Sequence, residues 1–88
     1  MAEPSNTLTA LDAELILALL GRGINQHDIA ALFQVNPGRV AEIATGEKFA
    51  GSRPADLNEP SVRQHLVTTA MLAAGRIHRV ALMGLGTR

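Results

Sequence analysis

Residues 24–46, INQHDIAALFQVNPGRVAEIATG, decide the fold that the sequence predicts. Two short helices, 26–33 and 37–45, are expected on either side of a tight turn. Asn36 is placed to cap the second helix, and Pro37 then occupies its first position, where the missing N–H costs nothing. Helices this short are not stable alone, so they must pack on other helices. A pair joined by three or four residues is the helix-turn-helix unit.

The apolar residues of this stretch recur at helical spacing and end at a glycine. They are Ile29, Phe33, Val35, Val40 and Ile43, with the small Ala30 between the helices and the closing Gly46. This pattern resembles the helix-turn-helix of phage-type repressors and related small bacterial DNA-binding proteins. The resemblance covers about 23 residues, roughly a quarter of the chain. It departs at Gln34, where the family usually has a glycine with positive φ, and a side chain there costs about 1 kcal/mol.

The resemblance implies that the second short helix enters the major groove with its N-terminal end towards the bases. The residues expected to contact DNA are Gln26, Asn36, Pro37, Gly38, Arg39, Glu42 and Thr45, with the cations Lys48 and Arg53 in the loop that follows. Gln26 stands where related repressors hold a phosphate. Lys48 and Arg53 are either phosphate contacts or simply solvated loop charges.

Within that helix the chemistry of the side chains leaves alternatives open. Arg39 can make a bidentate contact to guanine or can lie along the DNA backbone. Asn36 can bond a base edge or cap the helix, and capping is favoured. Glu42 can accept from a cytosine amino group or pair with Arg39. Gly38 offers no side-chain donor but allows the backbone to approach DNA closely.

Two longer helices are expected to flank this unit. Thr9 and Asp12 form a predicted capping box for a helix over 10–21, which is apolar nearly all round and is therefore expected to be covered on two sides. A helix over 61–83 is expected to begin near Ser61 as its cap, with Gln64 as the capping partner. Gly75 either permits close packing of this helix or divides it. The residues predicted for homodimerisation are Leu15, Leu19, Leu66, Ala70, Leu72, Ala73, Ile77 and Val80.

The rest of the chain is predicted to be irregular. Residues 1–8 and 84–88 are expected to be flexible ends of a single domain that spans 9–83. Residues 46–60 hold two glycines and two prolines, so they are expected to form a connector. Within it, Phe49 is expected to anchor the connector in the core.

Composition sets further limits. The 88 residues contain no cysteine and no apolar run long enough for a membrane span, which predicts a cytoplasmic protein without membrane contact. The formal net charge is zero, but residues 1–35 carry four acidic residues and one arginine, whereas residues 36–88 carry seven Lys or Arg and four acidic residues. A molecule with this dipolar distribution can present its positive half to phosphate, although mixed charge also simply keeps a small protein in solution.

No catalytic or metal-binding set is evident. The three histidines, His27, His65 and His78, have no metal-ligand spacing and are expected to be solvated or capping residues. No nucleophile–base set, phosphate-binding loop or small-molecule cofactor is indicated, so a non-enzyme is predicted. We expect an all-α protein that binds double-stranded DNA as a small homodimeric transcriptional regulator of bacterial or phage type. The alternative is a helix-turn-helix used for protein–protein interaction or assembly without DNA reading.

Overall fold

The computed structural model describes the backbone of residues 7–85 and the side chains of residues 7–75. Four helices and no strand occur in these residues, which confirms the prediction of an all-α fold. The helices are α1 (Ala10–Gly21), α2 (Gln26–Phe33), α3 (Pro37–Ala44) and α4 (Pro60–Leu85). The predictions for residues 1–6 and 86–88 lie outside the described part of the chain.

α1 contributes more buried residues to the core than any other helix within the described side chains. Its N-terminus has the predicted capping box: the amide of Asp12 donates to Thr9 Oγ1 at 3.1 Å, and the amide of Thr9 donates to Asp12 Oδ2 at 2.9 Å. The buried residues of α1 lie on more than one side of the helix, as its apolar sequence predicts. They are Ala13, Leu15, Ile16, Ala18 and Leu19. Leu8, within the segment expected to be flexible, is half-buried and packs against this core.

α2 and α3 are joined by three residues, and the connection depends on an unusual backbone conformation. Gln34 has φ 59° and ψ 45°, the left-handed region that the resemblance implies for this position. The amide of Val35 then donates to the carbonyl of Ala30 at 3.0 Å and closes the turn. The apolar faces of both helices enter the same core cluster as α1. Their buried members are Ile29, Ala30, Phe33, Val40 and Ile43.

α3 ends one residue earlier than predicted. Thr45 is its C-cap rather than its last helical residue. Gly46 follows with φ 82°, and its amide donates to the carbonyl of Ile43 at 3.2 Å. The predicted glycine stop is thus confirmed, since a positive φ is available to glycine at little cost.

Residues 46–59 form the predicted connector, which contains no regular element. One hydrogen bond fixes its far end to α1, from the amide of Ala55 to the carbonyl of Glu14 at 2.9 Å. The prediction that Ser61 caps α4 is wrong. Pro60 is the first helical residue, and the amide of Arg63 donates to the carbonyl of Glu59 at 3.0 Å. Proline is suited to that position because its φ is already helical and its missing N–H has no partner there.

α4 packs mainly on α2 and is also joined to α1 by a side-chain contact. His65 Nε2 lies 2.6 Å from Asp12 Oδ1, a separation at which the ring N–H donates to the carboxylate. His65 is half-buried, so the expectation of a solvated or capping histidine is wrong at this position. A Cβ built on Gly75 meets no atom within 4 Å, so no close contact in a single chain requires this glycine. None of the described helices is long and apolar enough to cross a lipid bilayer.

Candidate nucleic-acid interface

The N-terminus of α3 is a capped, exposed helix end. Asn36 Oδ1 accepts from the amide of Gly38 at 2.7 Å, which confirms the capping interpretation. A Cβ at Gly38 would lie 3.2 Å from the same oxygen, closer than most real Cβ contacts. The absence of a side chain at Gly38 therefore gives room for the cap, in addition to the close approach to DNA that the sequence predicts. Pro37, the first helical residue, is half-buried beside it.

Arg39 is the cation on α3, and its guanidinium points away from the core. Arg39 Nη1 lies 3.2 Å from Glu42 Oε1, one helical turn further on, and the two side chains are 53% and 29% exposed. An exposed pair of this kind contributes only about 0–1 kcal/mol. Arg39 can therefore leave Glu42 for another partner at small cost. The alternative in which Glu42 pairs with Arg39 is the one seen in the free protein.

Gln26 is exposed at the first position of α2, in the neighbourhood of a carboxylate. Asn25 caps this helix: its Oδ1 accepts from the amide of Asp28 at 2.8 Å, and its Nδ2 donates to Asp28 Oδ2 at 3.1 Å. The negative charge of Asp28 is stabilised by the positive end of the helix dipole. The same charge repels a second anion at this position. The N-terminus of α2, where Gln26 lies, is therefore less suited to a phosphate than the N-terminus of α3.

The loop after α3 is bound to the end of that helix. The carbonyl of Glu42 accepts from the amide of Glu47 at 2.9 Å, from the amide of Lys48 at 3.1 Å and from Thr45 Oγ1 at 3.2 Å. Lys48 and Arg53 are both exposed in this loop. The backbone of Lys48 is thus held against the C-terminal end of α3, and Arg53 follows five residues later in the same loop.

The prediction that Phe49 anchors the connector in the core is wrong. Its side chain is 38% exposed, and Phe49 does not belong to the core cluster, whereas Phe33 is 4% exposed within it. Phe49 also has φ 55°, the left-handed region that costs a residue with a side chain about 1–2 kcal/mol. The sequence did not indicate that Phe49 is exposed, because an isolated aromatic residue in a polar connector is most often a core anchor.

The residues predicted for dimerisation differ in their burial. Leu15, Leu19 and Ala73 are buried in the core of a single chain, so they offer no surface to a second copy, and their predicted role is corrected to intrachain packing. Leu66 and Ala70 are half-buried. The side chains of Ile77 and Val80 lie outside those that the structure describes.

α4 nevertheless has an exposed apolar surface, of which the sequence identified only one member. Leu72 is 64% exposed, as its position opposite the apolar stripe predicts. Val67 and Met71, which the sequence analysis did not select, are 53% and 67% exposed. Their signal was present in the sequence, because they lie four residues apart on one side of the helix. Among the described residues, these three are the most exposed large hydrophobic side chains.

Among the described residues, no three His, Asp or Glu side chains come together in a way that could hold a metal ion. Comparison with known proteins gives no significant match of the chain to a protein-family model, to a curated protein or to a solved structure.

Proposed function

We propose that α2 and α3 form a helix-turn-helix and that the chain binds double-stranded DNA sequence-specifically. The observation that carries this proposal is the connection between the two helices. Three residues, with Gln34 in the left-handed conformation, join two eight-residue helices whose apolar faces share one core cluster. The N-terminal end of α3 remains exposed and capped. This is the arrangement in which the second helix of such a unit is presented to the major groove.

In this proposal, Arg39 reads the base edges. A guanidinium presents two donors that match the two acceptors of guanine in the major groove. Among the described side chains it pairs with Glu42, and that exposed pair is weak. Gly38 allows the helix backbone to come close to DNA, and Glu42, released by Arg39, is available to a cytosine amino group.

Phosphate contacts would fix the orientation of α3 without reading sequence. Lys48 and Arg53 are exposed and lie in the loop that is hydrogen-bonded to the end of α3. Gln26 would add a neutral contact at the start of α2. Because the whole chain has no net charge, binding depends on the position of these few cations and not on a general positive field.

We further propose that the protein is a homodimer through α4, the long C-terminal helix. One recognition helix with few base-reading side chains binds weakly, whereas two copies reading half-sites one helical turn apart bind well. Val67, Met71 and Leu72 supply exposed apolar surface for such a contact. The result would be a small transcriptional regulator of bacterial or phage type that acts in the cytoplasm and binds without catalysing a reaction.

A mobility-shift titration tests DNA binding. Wild-type protein and mixed-sequence duplex DNA are titrated at about 50 and 200 mM salt, and a preferred site is then selected. Arg39→Ala should weaken binding to that site by about 1–3 kcal/mol and relax the preference at one base pair. Arg63→Ala is the matched control, since it removes an equally exposed arginine from α4. Equal losses for both variants, or no wild-type binding at either salt, would refute the proposal.

Light scattering tests the dimer. Leu72→Asp should shift the protein from dimer to monomer and reduce its affinity for a palindromic site far more than its affinity for a half-site. A wild-type protein that is monomeric at the concentrations used would contradict this part of the proposal.

The second candidate function is protein–protein interaction or assembly, and the exposed surface of α4 favours it. Large apolar side chains grouped on a surface are typical of sites that contact other proteins. The two functions differ in salt dependence, because phosphate contacts weaken steeply as salt rises and an apolar interface does not. Binding only to protein partners, unaffected by salt, would therefore favour the second candidate.

A further inference from the structure

We infer that Phe49 contacts DNA: its ring packs on the sugar–phosphate strand that borders the groove entered by α3. The inference rests on the proposed function and adds a residue to it. The ring of Phe49 would add an apolar contact to a surface otherwise made of polar and charged side chains. Its removal should therefore lower the affinity for DNA without changing the salt dependence of binding.

The first observation is that the ring of Phe49 does not belong to the core cluster. The other phenylalanine, Phe33, is buried in the core, whereas Phe49 remains 38% exposed outside the core cluster. Its backbone has φ 55°, a conformation that glycine or asparagine adopts more easily. Strained residues of this kind occur preferentially at binding sites, where the surroundings hold them in place.

The second observation is that the loop is held at both ends. Its start is fixed by the amides of Glu47 and Lys48, which both donate to the carbonyl of Glu42. The amide of Ser52 donates to the carbonyl of Phe49 at 3.1 Å and closes a turn there. Beyond the turn, Ala55 is hydrogen-bonded to α1. The ring of Phe49 is therefore presented by a braced loop, so little ordering is needed when it binds.

The third observation is the distance from the reading end of α3. Six residues separate Arg39 from Thr45, about 9 Å along a helix. The major groove is about 12 Å wide, so a loop that follows directly after Thr45 meets the strand at the border of the groove. Lys48 and Arg53 flank Phe49 and are exposed, as phosphate contacts on that strand would require. The ring between them would then lie against deoxyribose.

The test uses fluorescence anisotropy with a labelled duplex that contains the selected site, at several salt concentrations between about 50 and 200 mM. Phe49→Asn should weaken binding about tenfold at every salt concentration, in line with the loss of the apolar surface that the ring would bury against deoxyribose. The slope of log affinity against log salt should not change, because the ring is neutral. Lys48→Ala should instead reduce that slope by about 1.

Further variants at position 49 distinguish a lost contact with DNA from a change in the fold. Asparagine tolerates the left-handed conformation, and Phe49→Gly provides a second ring-less variant that fits this backbone. Thermal melts of both variants establish that they remain folded at the temperature of the binding assay. Phe49→Tyr keeps the ring and should bind within about twofold of the wild type. Wild-type affinity in both ring-less variants, or a reduced salt slope in them, would overturn the inference while leaving DNA binding intact. Absence of wild-type binding would instead refute the proposed function itself.

Discussion

α3 and α4 expose opposite kinds of surface. α3 buries Val40 and Ile43 and leaves outward a cap, a glycine and an arginine paired with a glutamate. α4 also has buried residues, but it exposes Val67, Met71 and Leu72. A hydrated, charged partner such as DNA suits the first surface, and a dry apolar partner such as another protein suits the second. One small chain therefore has two surfaces that can be distinguished by how mutation and salt affect them.

The largest change in the free energy of unfolding should come from truncating a buried apolar residue, compared with an exposed one on α4. Ile29 of α2 is fully buried, whereas Met71 of α4 is 67% exposed. Ile29→Ala should lower the free energy of unfolding by about 2–5 kcal/mol through lost burial and a cavity. Met71→Ala should change it by less than about 0.5 kcal/mol, measured by urea unfolding at a protein concentration at which the chain is monomeric. A comparable loss in Met71→Ala would mean that this side chain already packs within one chain.

The next effect concerns the cap of α3. Asn36→Ala should cost about 1 kcal/mol of stability, because the amide of Gly38 loses its acceptor. Asn36→Ser keeps a capping oxygen and should retain most of the stability. Thermal melts of the two variants measure the cap, and their DNA affinities then show whether the amide group of Asn36 also bonds a base. Equal melting temperatures for Ala, Ser and wild type would show that the cap is unimportant.

An effect of similar size should test how α4 is attached. His65→Ala removes the hydrogen bond to Asp12 but leaves the capping box of α1, so we expect a loss of about 0.5–1.5 kcal/mol. Gln64→Ala, at an exposed neighbouring position, is the control and should be nearly neutral. If chemical denaturation gives the same midpoint for both variants, the contact between α4 and α1 does not stabilise the fold.

The smallest effect should come from the ion pair on α3. Glu42→Gln removes a charge whose exposed pair with Arg39 is worth little, so the unfolding free energy should change by less than about 0.5 kcal/mol. DNA affinity should rise slightly if Glu42 serves only to hold Arg39. A lost preference at one base pair in a site-selection experiment would show instead that Glu42 reads DNA.

The elements that the sequence predicted well are those governed by local chemistry. Capping residues located the starts of α1, α2 and α3, with a proline at the first position of α3, and Gly46 located the end of α3 to within one residue. The start of α4 was misplaced by one residue because Ser61 followed by Gln64 matches a capping box, while Pro60 also fits a helix start. Whether Pro60 or Ser61 starts the helix depends on how the whole connector packs, so residues 61–64 alone do not decide it.

The contacts that the sequence could not supply are those that depend on three-dimensional packing. Periodicity showed that Leu15 and Leu19 face a common partner, but not whether that partner is the same chain or a second copy. Nothing local shows that Phe49 has a positive φ or that His65 reaches Asp12, 53 residues away. For the candidate interface, the α3 residues therefore stay predictions from the sequence, and the exposure of Phe49 in the loop is what the sequence missed.

The threefold use of the Glu42 carbonyl links the loop to the last turn of α3 as one cooperative unit. The amide hydrogens of Glu47 and Lys48 are protected from exchange with solvent while they are bonded to this carbonyl, so they exchange when the loop detaches from the helix. Their hydrogen-exchange rates should therefore follow those of the C-terminal turn of α3 and not those of an ordinary surface loop. A ligand that slows exchange in the helix would then slow it in the loop as well, even if it touches only one of them.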